Sequence, residues 1–176
     1  MKSIVTMNVL LFTLIIFHPI AYAQVLTDTK IVKDSENKHQ VNAPKNWKHL
    51  ELNEEASIQI GNEGDETYFV LISESKDDFS GWNLEKHSRI TLAQILVLVT
   101  FPKIEGPTYF EIGGDKAVQY KLTGGVAGLN LVYLHTTVES ENYFNQLLAW
   151  TFKSRFSKNE KMLQDIVNSF KVIDDR

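Results

Sequence analysis

The sequence contains no cysteine. Without thiols the chain can form no disulfide bond, no thiolate zinc site and no cysteine nucleophile, and it can carry no lipid attached through a thiol. An excess of basic residues is also missing, because 18 Lys and Arg stand against 22 Asp and Glu, which gives a formal net charge of −4. Nucleic-acid-binding domains usually have a basic face, so this balance argues against a nucleic-acid partner.

The remaining composition is that of a globular protein. Hydrophobic residues make up 43% and charged residues 23% of the 176 positions, which is atypical of disordered tails, collagen and multi-span membrane proteins. A chain of this length is expected to form a single domain with a sizeable core.

The first 23 residues have the pattern of a secretory signal peptide. A basic start is followed by the uncharged, apolar stretch Ile4–Phe17 and then by the small-residue pattern Ala21-Tyr22-Ala23. We expect cleavage between Ala23 and Gln24. Cleavage would leave 153 residues with a formal net charge of −5, because the removed segment contains one Lys and no acidic residue. An uncleaved anchor is the alternative, although Pro19 interrupts the apolar run.

Export with a lipid anchor would need a cysteine directly after the cleavage site, where this chain has Gln24. We therefore expect a periplasmic or secreted protein without a stable membrane anchor. The absence of cysteine is compatible with the oxidising bacterial periplasm.

The exported chain is predicted to consist of an N-terminal arm, residues 24–39, and one domain, residues 40–176. The arm has room for a short strand near Ile31. A turn at Pro44–Trp47 begins the domain, since proline suits the end of an edge strand.

Hydrophobic patterns predict five strands in the domain. Some alternate between apolar and polar residues, and others are apolar at almost every position, as expected for strands that are covered on both faces. The predicted strands are Ser57–Ile60, Thr67–Ser73, Lys116–Leu122, Leu129–Val138 and Tyr143–Phe152, with a hairpin loop at Gly61–Glu66 between the first two.

Two helices are predicted. Apolar residues at helical spacing extend over Trp82–Phe101 until Pro102 stops the pattern. Ser157-Lys158-Asn159-Glu160 matches a capping box and should begin the last helix. Strands that are apolar on both faces need a cover on each side, so we predict an α+β fold, a three-layer α/β/α sandwich with a mainly antiparallel sheet.

The order of these elements resembles the PsbP-like fold superfamily, which includes bacterial DcrB-like exported proteins. The resemblance covers roughly residues 40–173 and rests on the order and spacing of several short motifs. It implies an α/β/α sandwich and a group of binding and accessory proteins that share no active site. The motifs are Pro44-x-x-Trp47, the apolar Tyr68–Ile72 strand with Ser73-Glu74 after it, the long middle helix, Gly113–Ala117, and Ser169-Phe170-Lys171.

No assembled catalytic or metal-binding motif is present. Of the four histidines after the signal peptide, none lies within four residues of another, so no local metal pair exists. His135 is interpreted as a core histidine with a hydrogen-bond partner and His87 as a solvated helix residue. His39 and His49 flank the short segment Gln40–Trp47 that begins the domain, and they could converge in space.

Hydrolase and phosphate-binding motifs are missing as well. The chain has no Gly-x-Ser-x-Gly, and Gly124–Gly128 lacks the Gly-Lys-Ser/Thr and the helix of a phosphate loop, so it is read as a hairpin connection. We therefore predict a protein that is not an enzyme and that uses no cofactor.

Charge is distributed unevenly along the chain. Nine acidic residues and one basic residue lie between Glu51 and Asp78. Within this segment the loop Asn62–Glu66 is interpreted as a solvated hairpin tip, with a calcium site as the alternative. A basic group is interpreted either as a solvated surface or as a docking patch for an anionic headgroup or an acidic protein. Its members are Lys153, Arg155, Lys158 and Lys161.

These features predict a non-enzymatic, exported accessory protein that binds another envelope protein through its surface. The alternatives are a periplasmic immunity protein or inhibitor of a secreted toxin, and a carrier with a small-molecule or lipid pocket beneath the Trp82–Phe101 helix. The apolar Val97 and Leu98 are consistent either with deep burial of that helix or with a dimer contact, so a monomer and a homodimer both remain open.

Overall fold

The computed structural model describes residues 28–174, so the predicted signal peptide and its cleavage site lie outside the described residues. Ten strands and two α-helices follow one another along this part of the chain, and short 3₁₀ turns precede each helix. The bounds are β1 Thr29–Lys33, β2 His39–Pro44, β3 Lys48–His49, β4 Ile58–Asn62, β5 Thr67–Ser75, α1 Leu84–Leu96, β6 Thr100–Ile112, β7 Asp115–Val126, β8 Leu129–Glu139, β9 Tyr143–Phe152, α2 Phe156–Asn168 and β10 Lys171–Val172.

Seven of the strands form one antiparallel sheet in the order β3-β4-β5-β9-β8-β7-β6. Short hairpins connect most neighbours, as antiparallel pairing allows. The remaining strands form a small sheet in the order β1-β2-β10, in which β1 pairs with one edge of β2 and β10 pairs with the other edge.

Side chains of the large sheet alternate between two apolar faces. Val118, Tyr120 and Leu122 of β7 pack with residues of α1, whereas Ala117 and Leu134 join the core around α2. Since successive side chains of a strand point to opposite faces, the two helices lie on opposite sides of the sheet. The α+β sandwich that the sequence predicts is therefore confirmed.

The core on the α2 side is the larger of the two. Leu163, Ile166 and Val167 of α2 are fully buried there, and Val41 of the small sheet and Trp47 complete the layer. Burial of one such side chain contributes roughly 1.5–3 kcal/mol, so this side provides most of the apolar stabilisation.

The predicted helix over Trp82–Phe101 is wrong at both ends. Helix α1 spans Leu84–Leu96, with Asn83 as its N-cap, and the chain already enters strand β6 at Thr100. The sequence prediction contained no strand between Phe101 and Gly113. Val97 and Leu98 form a turn after the helix, and the chain then pairs with β7 from Thr100, where the β-branched threonine lies opposite Gly125.

The capping box predicted at Ser157-Lys158-Asn159-Glu160 is not formed. Helix α2 begins at Phe156, its N-cap is Arg155, and no side chain caps it, so Ser157 lies inside the first turn. A 3₁₀ turn at Lys153–Arg155 continues directly into the helix and moves its start ahead of the serine.

The junction between α1 and β6 depends on close packing at Gly124. A Cβ at this position would lie 2.2 Å from Cγ1 of Val99 and 3.0 Å from the carbonyl oxygen of Thr100. Any residue larger than glycine would therefore push the chain after α1 away from β7.

We expect Gly124→Ala to destabilise the protein by about 1–3 kcal/mol, as overpacking does. Urea unfolding would measure the loss. In a Val99→Ala background, Gly124→Ala should lower the free energy of unfolding by at least about 1 kcal/mol less than it does in the wild type, because the Cγ1 methyl of Val99 that would meet the new Cβ is absent. Equal costs in the two backgrounds would show that Val99 does not set the packing.

Candidate interaction surface

The basic group of the sequence meets the acidic hairpin in space. Arg155 forms an ion pair with Glu66, and the ammonium of Lys158 lies 3.9 Å from a carboxylate oxygen of Asp65. Lys161 instead pairs with Asp165 one helical turn later, at 2.7 Å. Three of the four basic residues therefore have acidic partners, and the structure brings together two charge clusters that the sequence showed only as separate segments.

The loop between β4 and β5 organises itself through Asn62. Its side-chain oxygen accepts hydrogen bonds from the backbone N–H groups of Gly64 and Asp65, and its amide donates to the Asp65 carboxylate. Within residues 28–174, no three His, Cys, Asp or Glu side chains are arranged to hold a metal ion.

Strand β6 is the exposed edge of the large sheet. It pairs with β7 on one side, and its first ten residues, Thr100–Tyr109, are all exposed. Ile104 and Tyr109 stand opposite Leu122 and Val118, so they share the sheet face on which α1 lies. Glu105 is on the other face, where it pairs with Lys121 at 2.8 Å.

Four apolar side chains are exposed at the end of the sheet where β6 begins. Val97 is 84%, Leu98 69% and Phe101 97% exposed, and Leu129 in the neighbouring hairpin is 49% exposed. We call these four residues the apolar tip. Deep burial of Val97 and Leu98, one of the two readings of the sequence, is excluded.

The backbone beneath the apolar tip is held firmly. Val99 is buried between the exposed residues, and the Thr100 hydroxyl donates a hydrogen bond to the carbonyl of Gly125 at 3.1 Å. Phe101 has φ = 49°, a left-handed conformation that is unfavourable for an aromatic residue. Strained residues of this kind cluster at functional sites.

The interface between α1 and the sheet contains polar side chains. His87 is fully buried, and its Nε2 lies 3.0 Å from a carboxylate oxygen of Glu74, which also accepts a hydrogen bond from Gln146. The interpretation of His87 as a solvated residue is therefore wrong, because the sheet strands β5 and β9 present polar partners to this side of α1. The hydrogen bond from His87, together with that from Gln146, holds the pKa of the Glu74 carboxyl below its usual range.

His135 lies in the same interface and is the core histidine that the sequence predicted. It is fully buried, and its Nε2 is 3.1 Å from the hydroxyl of Thr91, which is the expected hydrogen-bond partner. Burial, and secondarily the charge of His87, lowers the pKa of His135 from 6.5 to about 4. His135 is therefore neutral near pH 7 and has the role of a core residue.

His39 and His49 lie in different sheets. His39 is buried in the small sheet, where its Nδ1 is 2.7 Å from the Asp34 carboxylate and its ring stacks on Phe170. His49 lies in the exposed two-residue strand β3 of the large sheet. The hydrogen-bond partner of His39 comes from its own hairpin, so the histidine completes the core next to α2.

Open grooves rather than an enclosed site mark the surface near the apolar tip. One groove of about 560 Å³ runs beside Leu129 and is bordered by Phe152, Lys153 and Ser154. Under α1, the space in which a carrier would hold its ligand is occupied by buried side chains such as Ser88, Leu92 and Thr91. Among the described residues, no helix is long and apolar enough to cross a membrane.

No protein-family model matches this sequence, and no curated protein sequence matches it. Solved structures do match. CyanoP, the PsbP of the cyanobacterium Synechocystis sp. PCC 6803, superposes with a TM-score of 0.60 at 9% identity over 82% of this chain and 92% of its own. The chain has a PsbP-like fold. The expected resemblance is thereby confirmed at the level of the fold.

Two further structures with this fold come from different biological settings. LpqN of Mycobacterium tuberculosis, described as involved in cell envelope biogenesis, has a TM-score of 0.59 at 15% identity over 82% of this chain and 90% of its own. The Ran-binding protein Mog1p of Saccharomyces cerevisiae has a TM-score of 0.57 at 10% identity over 84% and 96%. At these identities the likeness concerns the fold alone.

The lowered pKa of His135 predicts a loss of stability in acid. The folded state holds the imidazole of His135 in its neutral form. The contribution of His135 to the free energy of unfolding is therefore fully present above pH 6.5 and is lost as the pH falls from 6.5 towards 4. The loss is on the order of 3 kcal/mol. Urea unfolding at a series of pH values would measure it.

The variant His135→Gln should flatten this pH dependence, because glutamine can still bond to Thr91 and does not titrate. The exposed His49 provides the control, since His49→Gln should leave the wild-type pH profile unchanged. If the profile of His135→Gln followed that of the wild type between pH 6.5 and 4, another group would be responsible.

Proposed function

We propose that this protein is a non-enzymatic accessory protein that is exported to the cell envelope and binds another envelope protein through the exposed edge strand β6. The PsbP-like fold supports an accessory role, since PsbP, LpqN and the Ran-binding Mog1p share this architecture. The signal-peptide pattern before Gln24 supports export.

The observation that carries the proposal is the exposure of ten consecutive residues in one long strand. An edge strand presents unpaired backbone N–H and C=O groups, to which a strand of a partner can add. Ile104 and Tyr109 would supply side-chain contacts on the face shared with α1. Pro102 and Pro107 have no backbone N–H to donate. A partner strand can therefore form an uninterrupted row of backbone hydrogen bonds only along the residues between or after the two prolines.

The basic group plays a lesser part in this proposal. Arg155, Lys158 and Lys161 have acidic partners within the chain, so a binding partner would have to compete for them. A docking role for the whole group, Lys153 included, remains a hypothesis that we rank below the edge strand.

A photoreactive phenylalanine analogue at position 109 should crosslink to one partner of defined mass in envelope fractions of the producing cells. The same analogue at position 31, which is an exposed apolar residue of the small sheet, should give no such product. Ile104→Lys should reduce the crosslink at position 109 by roughly tenfold or more, since it places a charge in the contact.

Mass spectrometry would identify the crosslinked partner. Equal crosslinking at positions 109 and 31, or no product at position 109, would contradict the proposal. Circular dichroism of Ile104→Lys would verify that the lysine leaves the fold intact, which its exposed position at the sheet edge leads us to expect.

A further inference from the structure

We propose that the apolar tip, defined above as Val97, Leu98, Phe101 and Leu129, inserts into the surface of a lipid bilayer. This inference is independent of the protein partner proposed for β6. The apolar tip contains the most exposed large hydrophobic residues of the described chain, with Phe101 at 97% and Val97 at 84%.

The two segments that build the apolar tip contain no charged residue. No Asp, Glu, Lys or Arg occurs from Ile90 to Pro102, nor from Leu122 to Leu134. They meet because Thr100 pairs with Gly125 and Val126 pairs with Leu129, which places the backbones of Thr100 and Leu129 about two strand spacings, or roughly 10 Å, apart. The charge-free stretches therefore meet at one corner of the large sheet, and the acidic hairpin Gly61–Glu66 lies at the same end of the sheet, four strands away from β6.

The shape of the apolar tip fits a fluid partner better than a rigid one. At 97% exposure almost no protein atom contacts the Phe101 side chain, so it projects from the surface. The four side chains present roughly 600 Å² at most, less than the approximately 800 Å² that each partner buries in a stable protein interface. Lipid acyl chains adapt to a projecting group and require no complementary pocket.

Lysines border the charge-free segments. Lys103 follows Pro102 directly and is 74% exposed, with its ammonium 3.0 Å from a carboxylate oxygen of Glu105, and Lys153 borders the groove beside Leu129. A long lysine side chain can keep its ammonium among the headgroups while apolar neighbours enter the bilayer. The same arrangement of apolar residues and flanking cations is found in protein segments that lie in the membrane interface, where the apolar side enters about 5–10 Å deep.

The fold holds these residues in place before any membrane is met. Buried Val99 and the contact of Thr100 with Gly125 anchor the loop, and Phe101 retains its left-handed backbone. Little conformational entropy is then lost on insertion, which favours binding.

The absence of cysteine allows a site-specific test. The variant Val97→Cys is expressed from the full sequence and purified from the producing cells as those cells have processed it. Its single thiol is then labelled with a fluorophore whose emission increases in an apolar environment. Vesicles of phosphatidylcholine, and vesicles of phosphatidylethanolamine with phosphatidylglycerol, are added with and without a quencher attached to the acyl chains. Ile31→Cys, 61% exposed at the small sheet, is the matched control.

We expect the label at position 97 to brighten and to be quenched by the acyl-chain quencher with both lipid compositions, and the label at position 31 to do neither. Replacing Val97, Leu98 and Phe101 together by serine should weaken vesicle binding by roughly a hundredfold, since most of the inserted apolar surface is removed. The variant and the wild type share the same N-terminal residues, so a difference between them reports the apolar tip alone.

Three results would overturn the proposal. The first is an unchanged label at position 97 while the protein is bound to vesicles. The second is equal quenching at positions 97 and 31. The third is brightening without vesicles that grows with protein concentration, which would assign the apolar tip to a contact between two copies. None of these results bears on crosslinking at position 109, so the two proposals succeed or fail separately.

Discussion

Strands β5, β8 and β9 at the centre of the large sheet carry apolar side chains on both faces, and neither face can remain in contact with water. Phe69 and Leu71 of β5 point to the α2 side, and His135 faces α1 from β8, on the other side of β9. Each face therefore needs a cover, which α1 provides on one side and α2 with the small sheet on the other. At the edge, β6 extends beyond both covers, so its exposure is a consequence of the same geometry that buries the centre.

The two covers differ in chemistry. Helix α2 packs mainly through apolar residues around Leu163 and Ile166, with one buried amide, Asn159, that donates to the hydroxyl of Thr151 at 3.4 Å. Helix α1 meets the sheet partly through His87 and its partner Glu74. A buried polar contact is worth less than apolar packing unless every group is paired. Nδ1 of His87 and the hydroxyls of Ser88 and Thr137 have no hydrogen-bond partner among the described residues. Helix α1 leads directly into the apolar tip.

Much of the interior could be predicted from the sequence, because strand and helix periodicity indicate which side chains need burial. The alternation of Val118, Tyr120 and Leu122 and the core role of His135 were both confirmed. The burial of His87 was missed, because its Glu74 partner lies on a strand that sequence spacing alone does not place beside the helix. Likewise, the pairing of Glu66 with Arg155 joins segments almost ninety positions apart, and no local pattern contains that information.

By itself, the sequence determined the fold class, the last three strands of the meander, the two-sided cover of the sheet and, through the missing cysteine, the absence of disulfides and thiol ligands. Only the tertiary structure decided where α1 ends and which apolar residues remain outside. The residues after Leu96 continue a helical pattern, yet Thr100 leaves it to pair with Gly125. An apolar run indicates a need for burial, but burial requires neighbours from distant segments, and at Val97 and Phe101 the fold supplies none.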